Sequence, residues 1–297
     1  MATDMSQALV GALQTGAKIA GGGRVNHARG LLVEGHFRAT STAPQFCMAA
    51  VFGGEDVRVL ARFSNSSGNP HIDQRSPAAE PRGLALRIGN KAAMVLVGHS
   101  LEGFPASEPE AFLAFLNAAN QRERSPTLWA AHLAGNPAAA RFEALRAAAV
   151  SSSFSALDYH MLHAYRLIAP DGHARIGRLS VHPTRPYVAR AAPEGADYLD
   201  RRMRGELAKG HVVFVLLFTP VPEGEDSTDI TRAWDPASPS FALGHIWLER
   251  LLPHQSSQRK LAFDPALLPA GIGFAGDPML HARLRAYRLA AARRLGL

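Results

Sequence analysis

Short runs in which apolar and polar residues alternate, each closed by turn chemistry, constrain this chain more than any other feature. Val57-Arg58-Val59-Leu60-Ala61-Arg62-Phe63-Ser64 alternates and stops at Asn65-Ser66-Ser67-Gly68. A period of two puts successive side chains on opposite faces of a strand. Residues 84–88 and 93–97 repeat the pattern, and 164–168 and 174–181 flank Pro170-Asp171-Gly172. Asp-Gly between two alternating runs is a strong hairpin signal. With 212–218 and 242–251 these form a set of strands joined mostly antiparallel. Helices are expected over 6–20, 108–120, 125–134, 137–150 and 278–295. The last opens with Asp277-Pro278, an N-cap residue followed by proline at the first helical position. The fold class is α+β, an antiparallel β-barrel with helices packed outside it. No internal repeat, heptad array or long linker divides the 297 residues, so 1–297 reads as one domain.

Composition excludes several classes. The longest strongly apolar run, 212–218, falls well short of the roughly 20 residues a membrane span needs. Residues 1–20 carry Asp4 among Ser, Gln and Gly and lack the basic patch and apolar core of a leader, so no targeting segment is expected. Cys47 is the single cysteine, which rules out an intrachain disulfide and thiolate metal clusters and fits a cytoplasmic protein. The net charge is +7, and all but four of the 32 Lys and Arg are arginine. Arginine suits bidentate recognition of carboxylate or phosphate, although composition does not show whether the charges converge.

Three clusters could carry chemistry. In the C-terminal helix, Arg283 and Tyr287 stand four apart on one face, and Arg294 returns to that side two turns later. A guanidinium beside a phenol favours the phenolate, a hard ligand for ferric iron. The spacing alone fits a surface tyrosine with ordinary helix arginines as well. In Arg24-Val25-Asn26-His27-Ala28-Arg29-Gly30, His27 is either a proton shuttle for a peroxide or a structural histidine in a turn. In Ala61-Arg62-Phe63-Ser64, alternation puts Arg62 and Ser64 on one side of a strand, which proves nothing by itself.

Taken together, these segments resemble the catalase superfamily. Residues 24–30 resemble its Arg-x-x-His-Ala-(Lys/Arg)-Gly signature. Ala61 to Ser64 with Gly68, Asp73 and Pro81-Arg82-Gly83-Leu84-Ala85 resemble its Arg-Phe-Ser…Gly…Asp…Pro-Arg-Gly-Phe-Ala stretch. The run from Phe263-Asp264-Pro265 through Gly271-Ile272-Gly273-Phe274, Asp277-Pro278, Arg283 and Tyr287 to Arg294-Leu295-Gly296 resembles its proximal-tyrosine signature, departing only at Arg288-Leu289-Ala290. The resemblance implies haem b, with Tyr287 as iron ligand and Arg283 holding it as phenolate. It implies His27 as general acid–base, its far nitrogen bonded by Ser64, and Arg24, Arg62 and Arg294 on the haem propionates. In the family register, Phe104 and Phe112 are apolar haem contacts.

Two departures bear on activity. His99, in Leu96-Val97-Gly98-His99-Ser100, stands where the family carries a distal asparagine, and it either borders the pocket or turns away from it. The chain also stops ten residues after Tyr287, without the wrapping and carboxy-terminal segments of ordinary catalases. An opened haem edge would admit organic hydroperoxides and electron donors, as in the small catalase-related haem peroxidases. The leading expectation is therefore a peroxidase that reduces organic hydroperoxides or hydrogen peroxide with an external small-molecule donor. A homodimer is expected, with no nucleic-acid or membrane partner. The alternatives are a true catalase, a fatty-acid hydroperoxide-rearranging enzyme, a non-enzymatic haem-binding protein, or a basic protein that binds nucleic acid.

Overall fold

The computed structural model describes residues 4–17, 23–90, 92–149, 151–185 and 194–296. The alternating runs become strands: β1 (Gly30–Ala39), β2 (Val57–Asn65), β3 (Arg82–Ile88), β4 (Met94–His99), β5 (Tyr159–Ile168), β6 (Ala174–Pro183), β7 (Val212–Pro220), β8 (Phe241–Leu251) and a short β9 (Ile272–Phe274). The helices are α1 (Met5–Ala17), α2 (Pro109–Gln121), α3 (Pro126–Gly135), α4 (Pro137–Ala148), α5 (Tyr198–Leu207) and α6 (Pro278–Leu295). The expected extension of α1 to residue 20 falls outside the described residues, whereas α4 stops at Ala148, short of the expected residue 150, because Ala149 is extended at ψ 127°. Among the described residues, no helix is long and apolar enough to cross a membrane.

The strands run in the order β4-β3-β2-β1-β8-β7-β6-β5, and β4 meets β5 again. Eight antiparallel strands thus close into a barrel. That closure consists of one pair, His99 opposite His160. Gly98 makes the approach possible, since a Cβ there would lie 2.4 Å from the His160 carbonyl oxygen. Beyond this point the two strands part, and a strip of later chain fills the gap. Val95 N–H donates to the Leu267 carbonyl, Ile168 N–H to that of Gly271, and Ala275 N–H to that of Ala164. β9 pairs along β5 in the same strip.

Alternation sorts the two faces of the barrel. Inside, Phe63, Leu84, Leu96, Tyr159, Phe214 and Phe218 belong to one buried cluster, with Phe63 stacked on Phe154 at 5.3 Å between ring centres. Truncating such a buried phenylalanine to alanine costs about 3–5 kcal/mol. Outside, β2 to β5 turn Arg62, Ser64, Gly83, His99 and His160 toward the covering helices. α1 packs on α2 and α6 over this face. Asn120 of α2 donates to the Ala12 carbonyl of α1, and Ser6 of α1 donates to the Ala282 carbonyl of α6.

α6 is built as its sequence requires. The Asp277 carboxylate accepts the Leu280 N–H at 2.9 Å, Pro278 occupies the first turn, and Gly296 ends the helix in the left-handed region at φ 73°.

Candidate active site

His27 enters the site from a turn just before β1. Its backbone is left-handed, at φ 52°, and it is the one non-glycine with positive φ among the described residues. A bulky residue there is strained and is held only where its surroundings overdetermine it. Here the Asn26 side-chain oxygen accepts the His27 N–H at 2.9 Å, and the Ser67 carbonyl accepts the next N–H at 2.8 Å. The ring lies over Gly83, where an added Cβ would sit 2.7 Å from its Cε1 and Nδ1. Ser64 Oγ and His27 Nδ1 share a hydrogen bond of 3.0 Å. Burial, together with the charges of Arg62, Arg24 and Arg283, lowers the His27 pKa to about 3, so the imidazole is neutral at neutral pH.

Arg62, from β2, is 3% exposed. It donates to the Gln258 side-chain oxygen at 3.0 Å and to the Ala28 carbonyl at 3.1 Å. Arg24 donates to the carbonyls of Gln258 and Leu261 at 2.9 and 2.7 Å, and Arg294 to those of Arg259 and Leu261 at 2.9 and 3.0 Å. Among the described residues, no carboxylate pairs with any of the three. Burial and then mutual repulsion lower the pKa of Arg24 to about 10, and the same two causes push Arg62 well down. Three guanidiniums held close together by neutral acceptors form an uncompensated anion site.

The other wall belongs to α6. Arg283 donates to the Val97 carbonyl at 3.2 Å and lies 3.5 Å from the Tyr287 hydroxyl, its guanidinium 5.4 Å from the ring centre. Burial opposes the charge on Arg283, but Tyr287, Tyr165 and Asp277 outweigh it, and the net shift is upward. Phe104 and Phe112, 4.7 Å apart between ring centres, form an apolar side. All nine residues singled out from the sequence, together with His99, border one cavity of about 330 Å³, a size typical of pockets that bury a ligand.

Several lining residues were missed by the sequence reading. Leu9, Val10 and Leu13 of α1 border the same cavity. His163 sits in an irregularity of β5 between Met161 and Tyr165, and its Nδ1 lies 2.6 Å from the Asp277 carboxylate. Asp277 thus caps α6 and anchors a cavity imidazole together. The signal for His163 was a break in alternation just before the predicted strand 164–168. His99 borders the cavity, with its Nδ1 accepting the Leu101 N–H at 3.3 Å.

A family model described as Catalase matches residues 17–297. A catalase-related peroxidase from Mycolicibacterium paratuberculosis is 29% identical over 289 residues, covering 93% of this chain and 90% of that protein. A catalase-related peroxidase from Synechococcus elongatus is 26% identical over 294 residues, covering 92% of this chain and 84% of the relative. A catalase from Ascaris suum is 26% identical, and this chain spans 55% of its length. Among solved structures, a fungal catalase superposes with a TM-score of 0.83 at 20% identity, covering 94% of this chain and 61% of the other. Catalase A from Saccharomyces cerevisiae gives 0.82 at 19% identity, covering 94% and 62%. At such identities the structural likeness establishes the fold.

Proposed function

The chain belongs to the catalase family, and we propose that its 297 residues form one haem domain that reduces peroxides with an external small-molecule electron donor. An oxidoreductase acting on peroxide is the class its relatives define. The observation that carries the finer reading is one shared cavity between the barrel face and α6. It brings together His27, Tyr287 and three guanidiniums that have no carboxylate partner among the described residues.

Haem fits this donor set. Its propionates would supply the anions that Arg24, Arg62 and Arg294 lack. Phe104, Phe112, Leu162 and Met279 offer an apolar surface for the macrocycle. Tyr287 would hold the iron through its phenolate oxygen, with the Arg283 guanidinium 3.5 Å from that oxygen. When bound, the haem supplies the redox chemistry of peroxide reduction.

The protein's own task is binding and proton handling. Ser64 Oγ lies 3.5 Å from the Gly83 carbonyl as donor, which leaves it to accept Nδ1–H from His27. That arrangement frees His27 Nε2 to take the proton of an incoming hydroperoxide and return it to the departing oxygen. A neutral imidazole is required for the first of these transfers, and burial keeps it neutral. Asp277 fixes the start of α6 and so the placement of Arg283 and Tyr287. The apolar wall of α1 and the two phenylalanines suits the alkyl group of an organic hydroperoxide. Haem b, a homodimer and a cytoplasmic setting complete the reading.

The test is haem reconstitution followed by paired assays. The expected result is a ferric tyrosinate haem spectrum and donor-dependent consumption of organic hydroperoxide. Oxygen evolution from hydrogen peroxide without any donor would identify a catalase instead. A protein that takes up no haem would overturn the reading, and a pyridine haemochrome spectrum, light scattering and cell fractionation test the remaining three parts.

A further inference from the structure

Among the described residues, four imidazoles border the cavity: His27, His99, His160 and His163. Three of them have no link to the surface. His27 is bonded to Ser64, the Nε2 of His99 is sealed from solvent, and His163 is tied to Asp277 with both partners buried. His160 differs. It stands opposite His99 of β4 on one side and Ser180 of β6 on the other, and residues paired in this way share a face. His182, two residues after Ser180, returns to that face. Its Nε2 and Ser180 Oγ share a hydrogen bond of 2.9 Å, and its ring centre lies 5.9 Å from that of His160.

The row ends in carboxylates. Asp158 Oδ1 lies 2.9 Å from His182 Nδ1, and Glu102 Oε1 lies 3.9 Å from His160 Nδ1. Side-chain exposure falls from 49% at Asp158 to 30% at His182 and 16% at His160, so the row leads from solvent to the cavity. The rest of the wall is less suited to admitting protons. Arg24, Arg62, Arg283 and Arg294 repel them, and the carboxylate of Asp264 is engaged by Arg288 on the α6 side. The titratable and charged groups around His160 are His99 of β4, His182 and Arg178 of β6, and Asp158 and Glu102 from the flanking turns. Burial first, then His182, with Asp158 opposing and Arg178 adding, lowers the His160 pKa to about 4. The neutral ring takes a proton on one nitrogen and releases one from the other.

Peroxide reduction needs such a path. With a donor AH2 it balances as ROOH + AH2 → ROH + H2O + A. Breaking the O–O bond uses the hydroperoxide's own proton, which His27 carries to the departing oxygen. The other oxygen becomes water only with two electrons and two protons, and the donor releases both where it is oxidised. We propose that Asp158, His182 and His160 form a relay that carries these two protons from solvent into the cavity, an inference that rests on the haem reading above. Each hop breaks one O–H or N–H bond and forms the next, and no electron moves with it. Glu102 gives a second entry, since a turn of its half-exposed side chain closes the gap to His160. Beyond His160 the protons cross the cavity through water, which the reaction itself forms.

The experiment uses haem-loaded protein, tert-butyl hydroperoxide, and hydroquinone as the donor. His160→Gln and His182→Gln keep a hydrogen-bonding side chain but cannot pass a proton on. Both are expected to lower kcat about 10²-fold, the lower range for a proton-transfer group. KM for hydroquinone should stay unchanged, and so should the rate of O–O cleavage on rapid mixing with hydroperoxide alone. Imidazole added to the buffer should restore kcat in proportion to its concentration. Wild-type kcat in either variant overturns the proposal. A loss that falls equally on O–O cleavage, or that imidazole does not relieve, marks a structural role and overturns it as well. So does a raised KM for hydroquinone at wild-type kcat, which would mark a docking surface for the donor. If His160→Gln does not fold, His182→Gln at the outer, part-exposed position carries the same test. Wild-type protein that takes up no haem would instead sink the haem reading, and the relay with it.

Discussion

The two walls of the cavity are made in different ways. The α6 wall is local: Asp277, Arg283, Tyr287 and Arg294 come from one helix, and its cap sets the positions of all four. The barrel wall is assembled from a turn and four strands, with His27, Ser64, Gly83, His99 and His160 meeting only because the register of β2 to β5 aligns them. A local wall depends on one helix staying formed. An assembled wall depends on spaces, above all on the missing side chain at Gly83. The placement of side chains on the first should survive changes that leave α6 intact, whereas placement on the second should fail at single atoms.

The sharpest test of this contrast removes the ligand of the local wall. Tyr287→Phe should abolish haem retention or replace the ferric tyrosinate spectrum, and an unchanged spectrum would remove Tyr287 from its role. His27→Ala should keep haem and lower peroxide cleavage about 10²–10⁴-fold, the usual worth of a positioned acid–base group. Stopped-flow mixing with hydroperoxide measures it, and full reactivity would refute the proton-transfer assignment. Gly83→Ala tests the space itself. Its Cβ would press on the His27 ring and Ser64 Oγ at 2.7 Å, so haem should remain while the same rate falls about 10²-fold, the cost of a small misplacement. A variant as fast as wild type would show that the register does not position His27. Asp277→Ala loses a cap and the partner of His163, and should lower stability by about 1–2 kcal/mol, read from denaturant midpoints. The expected effect on cleavage is smaller than that of Gly83→Ala, and the reverse order would break the comparison.

The remaining test is a dependence on pH. His27 and His99 are held near pKa 3 and His160 near 4 by burial first, against about 6.5 in the unfolded chain. Below pH 6.5 the unfolded chain binds protons that the native fold refuses. Stability should therefore be full above that pH and decline as pH falls toward 4. In His27→Gln the decline should be shallower, and an identical slope would show that His27 is not buried neutral.

Much of this was legible in the sequence, for physical reasons that differ by region. The Asp277-Pro278 start of α6 and the four-residue step from Arg283 to Tyr287 are local signals and appear as read. β7 alternates buried and less buried residues, whereas β2 alternates only in polarity, since Ala61 to Asn65 are all buried. β1 was not predicted because Leu31, Leu32 and Val33 are buried in succession, which erases the alternation. α5 was missed because only Tyr198, Leu199 and Met203 of its ten residues are buried, amid charged neighbours. For the assembled wall, His27, Arg62 and Ser64 were found through family resemblance. His160 and His163 were not: His160 is placed by its register opposite His99 and Ser180, and His163 by the irregularity of β5, and both are properties of strand pairing.

The seam of the barrel has a consequence in time. β4 and β5 share one residue pair, and their gap is filled by residues that lie about a hundred positions further along the chain, just before α6. As the chain emerges from the ribosome, β1, β2 and β3 can pair early, because their partners are close in sequence. The seam waits until the strip that closes it has been made, and Tyr287 follows within a few turns. Pulse-labelled amides should accordingly show β2 and β3 protected before Val95 and Ile168. Sealing the barrel and delivering the tyrosine that would receive the iron then become the same late event, so a chain that matures its site has already closed its barrel.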